Sequence, residues 1–307
     1  MNIITELSSF DKIKSTITKA PYHLKIKYDD NLYLINTNKF TNNISKIDDN
    51  ILLDCNGIIL EKETNKIVCK MFPVVKEYPV SYKYNSFSEL TCEEAIDGTL
   101  IKVFYYNNQW NFATNRCINA KDAYWISKQS FYDMFMEAAS SINFSQLTET
   151  YCYAFILQHP DNRHIVKYDK PNIIYLYSYD LVNNCEVEDK SLSFLDKPKQ
   201  LKFKNWKDFY QQLNSLPYDK EGFILYNDKK QMTKYVNPKF NFVKELKGNT
   251  NDMEYRCTVL YKYGQHTQFL TYYPEYNSTF NQINTTIFKI VQHLHTYYIT
   301  KYIKKQP

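Results

Sequence analysis

The chain has 307 residues, 44% of them apolar and 23% charged, and a net charge of +5. That length fits one large domain or two with their own cores. The mild positive charge permits a nucleic-acid partner without requiring one, because no block of like charges forms a basic tail. Seven scattered cysteines without a CxxC pair argue against a disulfide scaffold or zinc ribbon and for reduced thiols. The opening "MNIITELSSFDKIK" has no apolar signal core, and no run is long enough to span a bilayer. The expectation is a cytoplasmic monomer with no membrane partner. With 29 Tyr and 19 Phe against 5 Gly, a lone aromatic is a weak pointer to a site.

In chain order, "GIILEKETNKIVCK" alternates on both sides of Thr64-Asn65, and "LIKVFYYNNQWNFAT" does so around Asn107-Asn108, which predicts two hairpins. In "KDAYWISKQSFYDMFMEAA", Phe131, Met134, Phe135 and Ala138 share a helical face; Trp206, Phe209, Tyr210 and Leu213 do the same in "WKDFYQQLNSL". A third hairpin, "EGFILYNDKKQMTKYV", turns at Asn227-Asp228. The tail places Phe280, Ile283, Ile287, Val291, Leu294 and Tyr298 on one stripe, expected to be core, with Ser278 as N-cap and lysines in the last turn. His293 and His295 point different ways on that helix and read as surface residues. Hairpins interspersed with helices define an α+β protein built on antiparallel sheets.

Glycine stands only at 57, 98, 222, 248 and 264, so no phosphate-binding glycine loop can be written, and no metal-spaced histidine cluster exists. What remains is an ordered set of short motifs: "AIDGT" at 95–99, "FILQHPDNRHIVKY" at 155–168, "IIYLYSYDL" at 173–181, "EGFILY" at 221–226 and "TKYVNPKFNFVKELKGN" at 233–249. This series resembles the covalent nucleotidyltransferases, above all the ATP-dependent RNA ligases of phages and viruses. The resemblance implies a nucleotidyltransferase (ATP-grasp-like) domain of two antiparallel sheets flanked by helices over residues 50–250. An N-terminal extension (1–49) would pack on it and a mainly helical region (251–307) would follow.

In that family a lysine opens the K-x-D-G motif, attacks the α-phosphate of ATP and carries AMP to an RNA 5′-phosphate, which a 3′-hydroxyl then displaces. Lysine suits the task because its deprotonated amine is a strong nucleophile. Here the nucleophile position is Ala95, whose methyl group cannot attack. The resemblance gives Asp97 and Lys234 catalytic roles, and Glu221 and Asp97 a magnesium or manganese ion. It assigns ATP binding to Lys70, Glu94, Ile96, Gly98, Arg116, Phe155, Tyr177, Glu221 and Lys234. Asn115 is a weaker alternative to Arg116 for touching phosphate, and Tyr177 or Tyr179 is placed to stack on adenine. Three positions depart from the pattern: Asn56 for an arginine, Ile156 for a glutamate, and Val236 for a second lysine. The implied function is RNA repair by joining single-stranded or nicked RNA ends, disarmed at Ala95. The alternatives are a nucleotide- or RNA-binding pseudoenzyme of the same fold and an mRNA capping guanylyltransferase.

Overall fold

The computed structural model describes residues 9–20, 22–37, 55–70, 76–77, 87, 89–227 and 232–305. The chain divides into two compact units, residues 1–240 and 241–307. The expected boundary at 49/50 and the turn residue Asp228 lie outside the described residues.

The first unit opens with helix α1 (Phe10–Ile17), capped by the Ser9 hydroxyl, which accepts from Lys12 N. Strands β1 (Lys25–Tyr28), β2 (Leu32–Asn36), β3 (Ile58–Glu61) and β4 (Ile67–Cys69) follow as a four-stranded sheet in sequence order. The turn at Thr64-Asn65 forms with Asn65 at φ 56°. Ile13 and Ile17 of α1 pack on Tyr33, Ile35 and Ile58.

Next come the backbone-defined β5 (Lys76–Glu77), then β6 (Thr91–Ala95), β7 (Thr99–Tyr106) and β8 (Gln109–Thr114). The β7–β8 turn is made by Asn107 and Asn108 at φ 53° and 58°, with Tyr106 opposite Gln109. Both φ values are left-handed, as a two-residue hairpin turn requires, and asparagine tolerates them. Helix α2 (Phe131–Ala138) starts at Ser130, whose hydroxyl accepts from Asp133 N. Strands β9 (Tyr151–Gln158), β10 (Asn172–Asp180) and β11 (Cys185–Val187) complete an antiparallel sheet of order β11-β10-β9-β7-β8.

A third sheet, β12-β6-β13-β14-β5, is built from β12 (Gln200–Leu201), β13 (Gly222–Tyr226), β14 (Met232–Val236), β6 and β5. Only its β14–β5 pair is parallel. Helix α3 (Trp206–Ser215) buries Phe209 and Leu213 against Phe223, Leu225 and Tyr235 of this sheet.

Strand alternation decides which residues can reach the site. In β7 and β9, Ile101, Val103, Tyr153, Phe155 and Leu157 face α2, while Phe104 and Cys152 face the N-terminal sheet through Leu34 and Ile59. Beyond the N-terminal sheet, that second face is open to the β6–β13–β14 sheet, and a cleft lies between them. The class is α+β with antiparallel sheets flanked by helices, as the sequence implies.

The second unit is helical: the end of α4 (Pro238–Lys247), then α5 (Met253–Lys262), α6 (His266–Tyr272) and α7 (Asn277–Tyr298), continued by a π-turn at Ile299–Ile303. Two expectations about α7 fail. Ser278 is not its cap, because the chain enters α7 directly from a 3-10 turn at Pro274–Tyr276 and no side chain caps it. Nor is the stripe core: Phe280 is buried and Ile283 half-buried, but every residue from 284 to 298 is exposed.

Candidate active site

The β6–β7 connection brings the two sheets together. Chain leaves β6 at Ala95, passes Ile96, Asp97 and Gly98, and enters β7 in the other sheet. Gly98 has φ 152°, and a Cβ there would stand 2.5 Å from Ile156 Cγ2 and 2.6 Å from Leu157 O, so only glycine lets β9 approach. Gly222 is similarly held: a Cβ would meet Tyr235 O at 2.1 Å.

The segment after β9 fixes this turn. The Asp97 carboxylate accepts from Ile165 N and Val166 N at 2.9 and 2.8 Å, and Tyr168 Oη donates to Asp97 O. Asn162 Nδ2 donates to Thr99 Oγ1, which also contacts His164. The "HPDNRHIVKY" motif is therefore a clamp on Asp97 and Thr99. Gln158 is structural too, bonded to Tyr168 and Asn172.

The cleft encloses about 460 Å³, within the range of small-molecule sites. One wall comes from β6, β13 and β14, where Gly222 pairs with Ala95 and Ile224 with Lys234. Ala95 and Glu93 point into it one strand period apart, and so do Met232 and Lys234. Lys234 Nζ donates to Glu221 Oε1 at 2.7 Å, with both side chains largely buried. Asn237, fully buried, holds the approach to β13 by donating to Pro217 O and Lys220 O, and Asn237 N donates to Glu221 O. The opposite wall is more apolar: Leu100, Ile156, Leu176 and Tyr177.

Tyr177 reaches the cleft because of a bulge. Strict alternation would put Tyr175 and Tyr177 on one face, but the β9–β10 register shifts between them. Tyr175 consequently enters the core on α2, Tyr177 lines the cleft, and Tyr179 packs on the N-terminal sheet.

Of the residues singled out from sequence, Ala95, Asp97, Gly98, Glu94, Ile96, Tyr177, Glu221 and Lys234 share this cleft. Phe155 does not. It is wholly buried against Phe135 and Tyr175, because its neighbour Ile156 takes the cleft-facing position. Arg116 is exposed and outside the lining, whereas Asn115 and Asn56 are part of it. Lys70 lies over the Tyr179 ring at 5.2 Å and is not a lining residue.

Sequence reasoning missed Glu93, Glu186 and Tyr226. Tyr226 Oη donates to Glu93 Oε1 at 2.8 Å; burial first, then that carboxylate, pushes the phenol above its usual range. Glu93 was within reach of the alternation argument, two residues before Ala95. Glu186, on a three-residue strand, carried no signal. The lining thus holds five carboxylates against a single cation, Lys234, among the described residues. No group of three or more His, Cys, Asp or Glu among the described residues is arranged to hold a metal by itself, and no described helix is long and apolar enough to cross a membrane.

No protein-family model matches the chain. It is 26% identical over 262 residues to the immediate-early protein ICP-46 homolog of Invertebrate iridescent virus 6, across 75% of this chain and 56% of that protein. It is 22% identical over 302 residues to a proposed bifunctional polynucleotide kinase/RNA ligase of Autographa californica nuclear polyhedrosis virus, across 90% and 42%. Among solved structures, an archaeal ATP-dependent RNA ligase superposes with TM-score 0.51 at 10% identity, covering 87% of this chain and 70% of that one. The fold is that of the ATP-dependent ligase nucleotidyltransferases. One of these two viral relatives carries RNA ligase in its name, and the chain spans only about half of their length.

Proposed function

We propose that this chain carries the nucleotide-binding domain of an ATP-dependent RNA ligase whose nucleophile position holds an alanine, so that it binds ATP without forming the covalent AMP adduct. The observation that carries this reading is the convergence of Ala95 with Asp97, Glu221, Lys234 and Tyr177 in one cleft between two sheets. Tyr177 offers a ring face for adenine. Lys234 neutralises phosphate charge, and its Glu221 partner keeps the ammonium placed when no nucleotide is bound.

ATP brings several negative charges into a cleft that already holds five carboxylates. A divalent ion on the phosphates relieves that repulsion, and magnesium typically needs only one or two carboxylates beside phosphates and water. Glu221 and Asp97 are the residues that would face it. Each already has one carboxylate oxygen committed, Asp97 Oδ2 to Ile165 N and Val166 N and Glu221 Oε1 to Lys234 Nζ, which leaves one oxygen of each for the ion. RNA with a 5′-phosphate and a 3′-hydroxyl is the proposed partner.

The test is Ala95→Lys, incubated beside the parent chain with ATP labelled at the α-phosphate and resolved by denaturing electrophoresis. Label is expected on the lysine form alone, discharged by pyrophosphate or by 5′-phosphorylated RNA. Lys102 does not substitute, since its side chain is fully buried and donates to Gly57 O. An unlabelled lysine form in both magnesium and manganese would leave the pseudoenzyme reading, with Ile156 and Val236 as its marks of decay.

A further inference from the structure

Helix α7 leaves the second unit's core after Phe280 and carries a long apolar face into solvent. Leu294 is 63% exposed, Tyr297 61% and Ile290 53%. Ile287, Phe288 and Val291 are exposed beside them, as are Tyr298 and Tyr302. Phe288 and Tyr302 lie off the seam, and the face made by Ile287, Ile290, Leu294 and Tyr297 with Val291 and Tyr298 beside them leaves on the order of 700 Å² of side chain in water. That is beyond the patch of a few hundred Å² usual on a monomer.

The spacing identifies what fits there. Phe280, Ile283, Ile287, Ile290, Leu294 and Tyr297 recur at alternating steps of three and four, the seam by which one helix packs knobs-into-holes with another. The flanking positions that ordinarily choose a partner by charge are Asn284, Thr286, Val291, His293, Tyr298 and Thr300. They include no Lys, Arg, Asp or Glu. Nothing on the flanks selects an oppositely charged helix, and nothing repels an identical one. Two such helices together would bury more than the 1,200 Å² or so at which stable interfaces begin.

Direction follows from the tip. Lys301, Lys304 and Lys305 crowd the end of the helix, and residues 277–305 contain no Asp or Glu. A parallel pair would place both lysine clusters side by side. An antiparallel pair over residues 287–303 sets the two clusters roughly 25 Å apart at 1.5 Å per residue, well past the ~8 Å screening length, and leaves each Lys301 level only with Lys289, which points away from the seam.

We propose that the protein forms a two-fold dimer through antiparallel pairing of α7 with α7 of a second copy.

Sedimentation velocity on the full chain from about 1 to 100 µM, a range bracketing the affinity of a modest interface, tests this. The parent should pass from monomer to dimer with rising concentration. Ile290→Glu/Leu294→Glu should remain monomeric with unchanged circular dichroism, since both side chains are solvent-exposed. In a Cys185→Ser background, Leu294→Cys near the overlap centre should form a disulfide-linked dimer under air oxidation and Tyr302→Cys should not. A parent that stays monomeric throughout overturns the proposal, whether or not it co-sediments with anionic vesicles or RNA. So does a dimer that survives the double glutamate substitution. Preferential cross-linking at Tyr302→Cys overturns the antiparallel arrangement.

Discussion

The two walls of the cleft are built by the same kind of antiparallel strand yet present different side chains. The β6–β13–β14 wall presents Glu93, Ala95, Glu221 and Lys234; the β7–β9–β10 wall presents Leu100, Ile156 and Tyr177. Each sheet is backed by its own helix, α3 or α2. What distinguishes them is where charge can be tolerated. An ion pair on the first wall borders the cleft, whereas the second wall has one face sealed by α2 and part of the other by the N-terminal sheet. Under the proposed function, contacts to phosphate would fall to the first wall and contacts to a flat base to the second.

The largest effect should come from the faces of a single strand. Phe155 and Ile156 are neighbours on β9, one packed in the core and the other lining the cleft. Phe155→Ala should cost about 3–5 kcal/mol by chemical denaturation, as buried phenylalanine truncations do. Ile156→Ala should cost much less, because it opens onto a cleft and not onto packed side chains. Equal losses would break the assignment of faces.

The apolar wall hides one charge, and pH should expose it. Burial lowers the fully enclosed Lys102 ammonium to about 8, with the nearby Cys69 and Cys152 opposing that shift. Below that value the folded chain holds a desolvated cation. Between about 8 and the ordinary 10.5 the folded state is neutral there while the unfolded state still binds the proton, so stability rises with pH at about 1.4 kcal/mol per unit. Relative to Lys102→Met, the parent should gain about 3 kcal/mol across that window. A difference independent of pH would show that Lys102 is not buried as a titrating group.

Much of this was legible from sequence, and the reasons are local. The asparagine turn at 107–108 and the apolar faces of α2 and α3 each follow from steric or periodic rules acting over a few residues. Placement failed where distant chain decided it. The bulge that turns Tyr177 into the cleft leaves no composition signal, and Phe155 and Ile156 look alike until the register of β9 is known. The helical period of α7 is plain in the sequence, but the expectation that its stripe is core fails, because periodicity cannot say what covers it.

On the charged wall, Lys234→Ala should weaken ATP binding by about 1–3 kcal/mol, through loss of a charge-assisted phosphate contact and exposure of phosphate to an unpaired Glu221. Calorimetry measures it. If Lys234→Ala binds ATP as the parent does, the phosphates do not lie against this wall.

The smallest effect belongs to the apolar wall and sharpens the contrast between the two. Tyr177→Ala should weaken ATP binding by about 1 kcal/mol, the scale of an aromatic contact beyond simple area burial. Because stacking reads a π-face and not a hydrogen-bond pattern, ATP and GTP should lose affinity to a similar degree. The loss should also be insensitive to salt, unlike that of Lys234→Ala, since no charge is removed. Tyr179→Ala provides the matched control: its ring lies on the same face of β10 but packs on the N-terminal sheet and Lys70, so it should lower stability while sparing nucleotide affinity. If the two substitutions exchanged these roles, β10 would sit in a different register, and the ring that faces the base would have to be reassigned to Tyr179.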